Sequence, residues 1–236
     1  MSASIVYLVP TVLDENALET IPTYILHAIK NCQVIFAENE RTARRFMKSL
    51  DRSIVIDDYE WYAIHKAEFE QLQILSQKIK EGKNIAIISE AGCPGIADPG
   101  QILVEKAHQL NAIVKPLVGP SAILLSLMAS GLNGQQFSFN GYLPIESSER
   151  ITKIKALEEI SLKKNSTELF IETPYRNNAM LESILKSCKD STDLCLAVDI
   201  TGPNEFIKTQ KISAWKKTTV DLHKKPAMFL LFAGKL

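Results

Sequence analysis

Four short polar loops carry the residue types that could do chemistry, and each of them follows a run of apolar residues. They read "AENER", "SEAGCPGIADPG", "VGPSA" and "IETPYR". Glycines and small side chains let backbone groups approach a bound molecule closely, and prolines fix the shape of a loop before the molecule arrives. None of the loops has the spacing GxGxxG or GxxxxGK[ST], so neither a dinucleotide nor a triphosphate is indicated. The loops favour a flat, partly apolar ligand held by backbone hydrogen bonds.

The elements that must position these loops alternate between strands and helices. In the first half, helical patterns cover residues 15–29, 41–50, 66–80 and 100–110. The β segments around them read "SIVYLVP", "CQVIFAEN", "SIVIDDY", "NIAIISE" and "AIVKPLV". This alternation predicts a mostly parallel sheet with helices on both faces. Open sheets of this kind bind ligands beyond the carboxyl ends of their strands, which is where the polar loops stand.

The second half predicts another α/β domain with a more mixed sheet. Its helical patterns cover residues 122–130, 148–160 and 177–186. Its β segments read "FSFNGYLP", "TELFIETP", "LCLAVDIT", "EFIKTQKISAW" and "AMFLLFAG". Gly119 and Pro120 break the chain between the halves, so we expect a linker near residues 115–120. The predicted domains are residues 1–116 and 117–236.

The composition narrows the class of protein. The chain has 236 residues, of which 46% are hydrophobic and 23% are charged, as in soluble globular proteins. The formal net charge is zero, so only a local basic patch could attract nucleic acid. No apolar run approaches the roughly 20 residues that span a bilayer, and the start of the chain does not resemble a signal peptide. The four cysteines lack CxxC spacing, which predicts reduced thiols, three of them buried, in a cytoplasmic protein.

Taken in order, these segments resemble the tetrapyrrole methylase superfamily, the class III S-adenosylmethionine-dependent methyltransferases. Within it the chain is most similar to the ribosomal RNA small-subunit methyltransferase I family, which methylates a ribose 2′-hydroxyl. The resemblance covers nearly the whole chain with order and spacing kept. The matching motifs are "VYLVPT", "AENERTARRFM", "SEAGCPGIADPG", "VGPSAILLSLMASGL", "FSFNGYLP", "FIETPYRNN" and "AMFLLFAG".

The resemblance implies a two-domain α/β enzyme, usually a homodimer, with S-adenosylmethionine in a cleft between the domains and no metal. The partner would then be ribosomal RNA or the small ribosomal subunit, and from the composition we expect no contact with a membrane. The family's donor contacts fall on Ala91, Gly92, Cys93 and Ile96, on Ser121 and Ala122, and on Thr173, Pro226 and Ala227.

The sequence departs from the family pattern at several points. The N-terminal loop reads "PTVLDENAL" where the family usually has "TPIGNL". Asn39, Glu90 and Cys93 replace an Asp, an Asp and a Thr, and the chain stops after "LLFAGKL", where many members continue into a helical tail. Two alternatives to an RNA methyltransferase therefore stay open. One is a methyltransferase acting on a tetrapyrrole or another small molecule, and the other is a non-catalytic protein that binds S-adenosylmethionine.

Two strand-end carboxylates have both a functional and a structural interpretation. Glu38 aligns with an acidic residue of the family and is the catalytic candidate, as a general base or by orienting the acceptor. Its structural alternative is an ion pair with Arg41 or Arg44. Glu90 either faces the ligand cleft or accepts hydrogen bonds from nearby amides.

Other polar residues also allow two interpretations. Glu172 and Arg176 match the family pattern and either pair with each other or orient the substrate. Asp98 is an N-cap candidate because a proline follows it. His65 is interpreted as a surface residue, and Cys93 is not interpreted as a nucleophile because no histidine neighbours it in the sequence.

One helix carries a cluster of positive charge. Arg41, Arg44, Arg45 and Lys48 are spaced i, i+3, i+4 and i+7, which puts them on one helical face. The functional interpretation is a patch that contacts the phosphates of RNA, and the alternative is a solvated face. The three arginines and Arg176 are the predicted substrate-binding residues.

Overall fold

The chain folds into two α/β units. The computed structural model describes residues 3–64, 68–97 and 100–235. The first unit is Met1–Ser121 and the second is Ala122–Leu236, whereas the sequence predicted a boundary between residues 116 and 117. The intervening segment joins the first unit because the Leu117 amide donates to the Leu8 carbonyl at 3.1 Å and the Val118 amide donates to the Tyr24 hydroxyl at 2.6 Å.

The first unit has a parallel sheet, as predicted. Its strands are β1 (Ile5–Val9), β2 (Val34–Ala37), β3 (Glu60–Ala63), β4 (Ile85–Ile88) and β5 (Ile113–Pro116). They lie in the order β3-β2-β4-β1-β5, and every neighbouring pair is parallel. Since β4 and β1 lie side by side, the loops that follow them meet at one edge of the sheet.

Helices cover both faces of this sheet. They are α1 (Tyr24–Lys30), α2 (Glu40–Leu50), α3 (Glu68–Lys80) and α4 (Gln101–Gln109). Along β4, Ala86 and Ile88 pack in a cluster with residues of α1 and α2, whereas Ile85 and Ile87 pack with residues of α3 and α4. All four side chains are fully buried. This double burial explains why β4 reads as an unbroken apolar run.

The predicted strand "SIVIDDY" was wrong. Its residues Ile56–Asp58 form a 3₁₀ turn, and β3 begins after it with "EWYA". Ile54 is buried in the core that faces α1 and α2, so the apolar residues of this segment serve packing rather than pairing. The strand itself lies at the sheet edge and is half-buried along its length, which leaves it a weaker hydrophobic signal.

The second unit has a mixed sheet, again as predicted. Its strands are β6 (Phe137–Tyr142), β7 (Thr167–Ile171), β8 (Asp193–Val198), β9 (Phe206–Lys211) and β10 (Ala227–Phe232). The order is β6-β7-β10-β8-β9, in which β6 and β7 are parallel and the other pairs are antiparallel. The helices are α5 (Ala122–Ser130), α6 (Ser147–Lys164), α7 (Asn177–Ser187) and the short α8 (Ile212–Trp215).

The core of the second unit joins α6 and α7 to the sheet. Phe170 on β7 and Phe229 on β10 stack with ring centroids 5.6 Å apart within the cluster that includes Ile154 and Ile184. Because β10 pairs with β7 in the antiparallel direction, the carboxyl end of β7 lies beside the start of β10. Among the described helices, none has the length and apolar character needed to cross a membrane.

Candidate functional site

The loop after β4 is fastened to the segment after β1 by two backbone hydrogen bonds. The Thr11 amide donates to the Gly92 carbonyl at 2.9 Å, and the Gly92 amide donates to the Thr11 carbonyl at 3.2 Å. The Ser89 hydroxyl donates to the same Gly92 carbonyl at 2.9 Å. The loop is therefore fixed in shape by the protein itself. The Gly92 amide is already engaged, so it is not a spare hydrogen-bond donor for a ligand.

Two glycines allow the loops after β1, β4 and β5 to approach one another. Gly92 has a φ of +74°, and a Cβ there would lie 3.2 Å from Leu13 Cδ2 and 3.5 Å from the Pro120 carbonyl oxygen. At Gly119 a Cβ would lie 2.3 Å from Pro10 Cγ, far inside any allowed contact. The close packing of the three segments therefore depends on glycine at both positions.

Cys93 ties the β4 loop to the segment after β5. Its Sγ donates to the Pro120 carbonyl at 3.4 Å, and the thiol is partly exposed. The other three cysteines are buried, which confirms the expectation for the thiols. The remaining predicted ligand contacts of this region lie as follows: Ala91 and Ile96 are exposed on the β4 loop, Ser121 ends the first unit and Ala122 begins α5.

The two strand-end residues Glu38 and Glu90 are linked through the backbone amide of Glu90. The Glu90 amide donates to Glu38 Oε2 at 2.8 Å, which links the ends of β2 and β4. Glu90 Oε1 accepts from Asn39 Nδ2 at 3.2 Å and from the Thr42 hydroxyl at 3.4 Å. Asn39 is the N-cap of α2, since its Oδ1 accepts from the Arg41 and Thr42 amides. The Glu90 carboxylate therefore receives side-chain donors, while the capping of amides falls to Asn39.

Most of the cationic side chains of α2 contact carboxylates, an aromatic ring or a carbonyl of the first unit. Arg44 Nη2 lies 3.3 Å from Glu40 Oε2, and its guanidinium lies 4.8 Å from the centroid of the Trp61 ring. Arg45 Nη2 lies 2.8 Å from Glu15 Oε2, and Lys48 Nζ donates to the Arg52 carbonyl at 3.0 Å. Exposed ion pairs of this kind contribute only about 0–1 kcal/mol, so a phosphate could displace them. The role of this face in RNA binding stays a prediction.

At the end of β7 the second unit carries an ion pair between a buried carboxylate, Glu172, and a partly exposed guanidinium, Arg176. Glu172 Oε1 accepts from the Thr173 amide at 2.6 Å and from Arg176 Nη2 at 2.7 Å, so Glu172 and Arg176 pair with each other. Burial raises the pKa of Glu172, but the Arg176 and Thr173 donors outweigh it and the net pKa is lowered. Within the described part of the chain, the buried atoms Glu172 Oε2, Arg176 Nε and Asn177 Oδ1 have no hydrogen-bond partner.

A turn before β10, residues 221–225 ("DLHKK"), is fastened beside this ion pair, and we call it the basic turn. The Lys224 amide donates to the Pro174 carbonyl at 3.0 Å, and Asn177 Nδ2 donates to the Lys225 carbonyl at 2.7 Å. Pro226 and Ala227 follow directly, and Pro226 is exposed. The structure thus gathers Thr173, Pro226 and Ala227, the predicted ligand contacts of this unit, at one end of its sheet.

The sequence analysis did not predict some of the contacts in the site. The Asn39 cap had a recognisable signal, an asparagine directly before a helix. Neither the bridge between Thr11 and Gly92 nor the position of Lys224 had one, because both depend on segments far apart in the chain. Asp98 and His65 lie outside the described residues. Within the described ranges, no group of three His, Cys, Asp or Glu side chains could hold a metal ion.

A family model and the sequences of known proteins both relate this chain to methyltransferases. The family model described as Tetrapyrrole (Corrin/Porphyrin) Methylases matches residues 17–215. The ribosomal RNA small subunit methyltransferase I of Vibrio cholerae is 31% identical over 98% of this chain and 78% of that relative. The protein of the same name from Buchnera aphidicola subsp. Schizaphis graminum is 30% identical over 98% of this chain and 78% of its own length.

Solved structures agree on the fold. The crystal structure of the methyltransferase CobJ aligns with a TM-score of 0.65 at 13% sequence identity, and the alignment covers 98% of this chain and 94% of CobJ. At that identity the likeness is evidence for the architecture of two α/β units and carries no information on the molecule that is methylated.

Proposed function

Because this chain belongs to the tetrapyrrole methylase family, we propose that it is an S-adenosylmethionine-dependent methyltransferase that methylates a ribose 2′-hydroxyl of small-subunit ribosomal RNA. The proposal that the acceptor is ribosomal RNA rests on the 31% identity with the Vibrio cholerae enzyme over 98% of the chain. The alternatives, a tetrapyrrole or another small-molecule acceptor or binding of the donor without catalysis, are outcomes of the test below.

We propose that the residues that contact the methyl donor lie on the β4 loop and at residues 121 and 122, and, in the second unit, after β7 and at the start of β10. The rigidity of the loop supports this site, because the bridge to Thr11 and the contact of Cys93 with residue 120 hold it without a ligand. The donor has no phosphate, so a phosphate-binding loop is not required. The residues proposed to hold it are Ala91, Gly92, Cys93, Ile96, Ser121, Ala122, Thr173, Pro226 and Ala227.

The fit of these residues to the donor rests on two observations. Gly92 has a φ of +74°, which other residues rarely adopt, so glycine at this position lets the loop present its neighbours Ala91 and Cys93 as it does. In the second unit, the unpartnered buried atoms of Glu172, Arg176 and Asn177 border Thr173 and would gain from polar contacts with a ligand or with water. Both features suit a ligand that combines apolar and polar parts.

The protein's task in the reaction is alignment and removal of one proton. When bound, the donor supplies a methyl group already activated by its sulfonium. The chain must hold the ribose hydroxyl in line with that methyl group and accept or relay the hydroxyl proton. Glu38 is the proposed proton acceptor, and the hydrogen bond from the Glu90 amide fixes the orientation of its carboxylate. Arg41, Arg44, Arg45 and Arg176 are proposed to contact the RNA.

Radiolabelled methyl transfer tests the proposal. Purified protein and labelled donor are incubated with small ribosomal subunits from a strain lacking this modification, and in parallel with a panel of tetrapyrroles. We expect label in the RNA at a ribose, and a loss of at least about 100-fold for Glu38→Gln. Label in a tetrapyrrole would favour the small-molecule alternative, and donor binding without transfer would favour a binding protein. We further propose that the enzyme is a cytoplasmic homodimer, which light scattering can check for the oligomeric state.

A further inference from the structure

We propose that Tyr175 and the basic turn form a stacking platform for an unpaired base of the RNA acceptor. This inference rests on the proposed function, because it assumes that the acceptor is RNA. It concerns a surface of the second unit, whereas the cations of α2 belong to the first unit.

Tyr175 presents an aromatic ring to solvent between two cationic or polar neighbours. The residue is 70% exposed. Lys224 Nζ lies 5.9 Å from the centroid of its ring, within the range of a cation–π contact. The His223 ring meets it edge-on with a centroid distance of 5.9 Å. An exposed aromatic ring beside a cation is the combination with which proteins stack and neutralise single-stranded nucleic acid.

Hydrogen bonds within the second unit hold the backbone of the platform in place. Asn178 Nδ2 donates to Asp221 Oδ1 at 2.7 Å, and Asn178 Oδ1 accepts from the Leu222 amide at 2.8 Å. The Lys224 amide is held by the Pro174 carbonyl at 3.0 Å, directly before Tyr175 in the chain. Fixed groups lose little entropy on binding, which favours recognition of a flexible strand.

The backbone of Lys224 points to a role beyond folding. Its φ is +59°, a left-handed conformation that glycine or asparagine adopts more easily than lysine. A lysine at this position is an unfavourable choice for the turn alone. The choice is explained if the ammonium group beside Tyr175 is needed, since local strain is typical of functional sites.

The position of the platform favours the acceptor as its partner. Tyr175 lies two positions after Thr173 in the chain, and Pro226 directly follows the basic turn. Both are proposed donor contacts, so a base stacked on Tyr175 would lie close to the methyl donor. Tyr142, which is 60% exposed, ends β6 opposite Ile171, the last residue of β7, and adds a second exposed aromatic ring at this end of the sheet. An unpaired base held here would bring its own or a neighbouring ribose toward the donor.

The test compares matched variants of the full chain with a fluorescein-labelled single-stranded RNA of about 16 nucleotides. We expect Tyr175→Leu to weaken RNA binding at least about fivefold, since it keeps apolar area but lacks a flat ring, and Tyr175→Phe to bind like the wild type. Lys224→Asn should weaken binding and reduce the slope of log affinity against log salt by about 0.7. Its Tm should not fall, because asparagine accepts the left-handed backbone.

Lys163→Asn on α6 is the control for a lost exposed lysine and should leave RNA affinity unchanged. Binding of S-adenosylhomocysteine, measured by calorimetry on each variant, should match the wild type. Wild-type methylation of ribosomal RNA together with unaltered RNA affinity in Tyr175→Leu and Lys224→Asn would overturn the platform and leave the proposed function standing. A wild-type chain that binds no RNA and methylates none would overturn both.

Discussion

Replacing Gly119 with alanine should both destabilise the first unit and disturb the β4 loop, which is proposed to bind the methyl donor. A Cβ at this position would lie 2.3 Å from Pro10 Cγ and 2.4 Å from Pro10 Cβ. Carbon atoms in contact are roughly 3.5 Å or more apart, so the segments must separate by about 1 Å. The proline ring is rigid and buried and cannot turn away. Overpacking of this kind costs about 1–3 kcal/mol, or roughly 4–12 °C in Tm for a unit of this size.

Thermal unfolding followed by circular dichroism measures the effect, and calorimetry with S-adenosylhomocysteine measures the donor site. The matched control is Gly134→Ala, because a Cβ there meets nothing within 4 Å. Donor affinity should fall in Gly119→Ala alone, since residue 120 contacts Cys93 Sγ. The Pro10→Gly substitution removes both clashing atoms. It should therefore lower the Tm less in the Gly119→Ala background than in the wild type. A Gly119→Ala protein as stable as the wild type would refute this account of the loop packing.

Three further predictions concern single side chains. Gly92→Val should lose donor binding and should also lower the free energy of unfolding by about 1 kcal/mol or more. The reason is that Gly92 has a φ of +74°, unfavourable for valine, while its amide must keep its hydrogen bond to the Thr11 carbonyl. An unchanged urea denaturation curve would contradict this. Lys78 and Lys83 lower the pKa of Glu60 from 4.5 to about 2, so the stability that Glu60 adds should be complete above pH 4.5 and be lost as the pH falls through about 2. The stability difference between wild type and Glu60→Gln should therefore shrink over that interval, and a difference that grows toward acid would refute it. Iodoacetamide should modify Cys93 first, since burial raises the pKa of the other three thiols; mass spectrometry showing a buried thiol labelled first would oppose this.

The sheet and the strand-end loops were predictable because their signals are local. β4 is buried on both faces, so its apolar run stands out in the sequence, and its end coincides with the polar loop. The expectation of three buried thiols was confirmed at Cys32, Cys188 and Cys195. The contact between Glu38 and Glu90 was not predicted, because it requires β2 and β4 to be neighbours in the sheet.

The remaining features depend on contacts between distant segments. The half-buried edge strand β3 has a weak apolar pattern, so "SIVIDDY" took its place in the prediction. The engagement of the Gly92 amide requires Thr11, which lies about eighty residues earlier in the chain. Likewise the left-handed Lys224 is set by its bond to Pro174 rather than by its own sequence. Geometry of this kind appears only once the sheets have assembled.

The most direct test of the central claim is the position of the transferred methyl group. Small ribosomal subunits lacking the modification are incubated with the protein and labelled donor, and the RNA is digested and analysed by mass spectrometry. We expect label on a ribose 2′-oxygen of the small-subunit RNA, present with the wild type and lost with Gly92→Val. Label on a base, on a tetrapyrrole in parallel incubations, or on no acceptor while the donor still binds would contradict it.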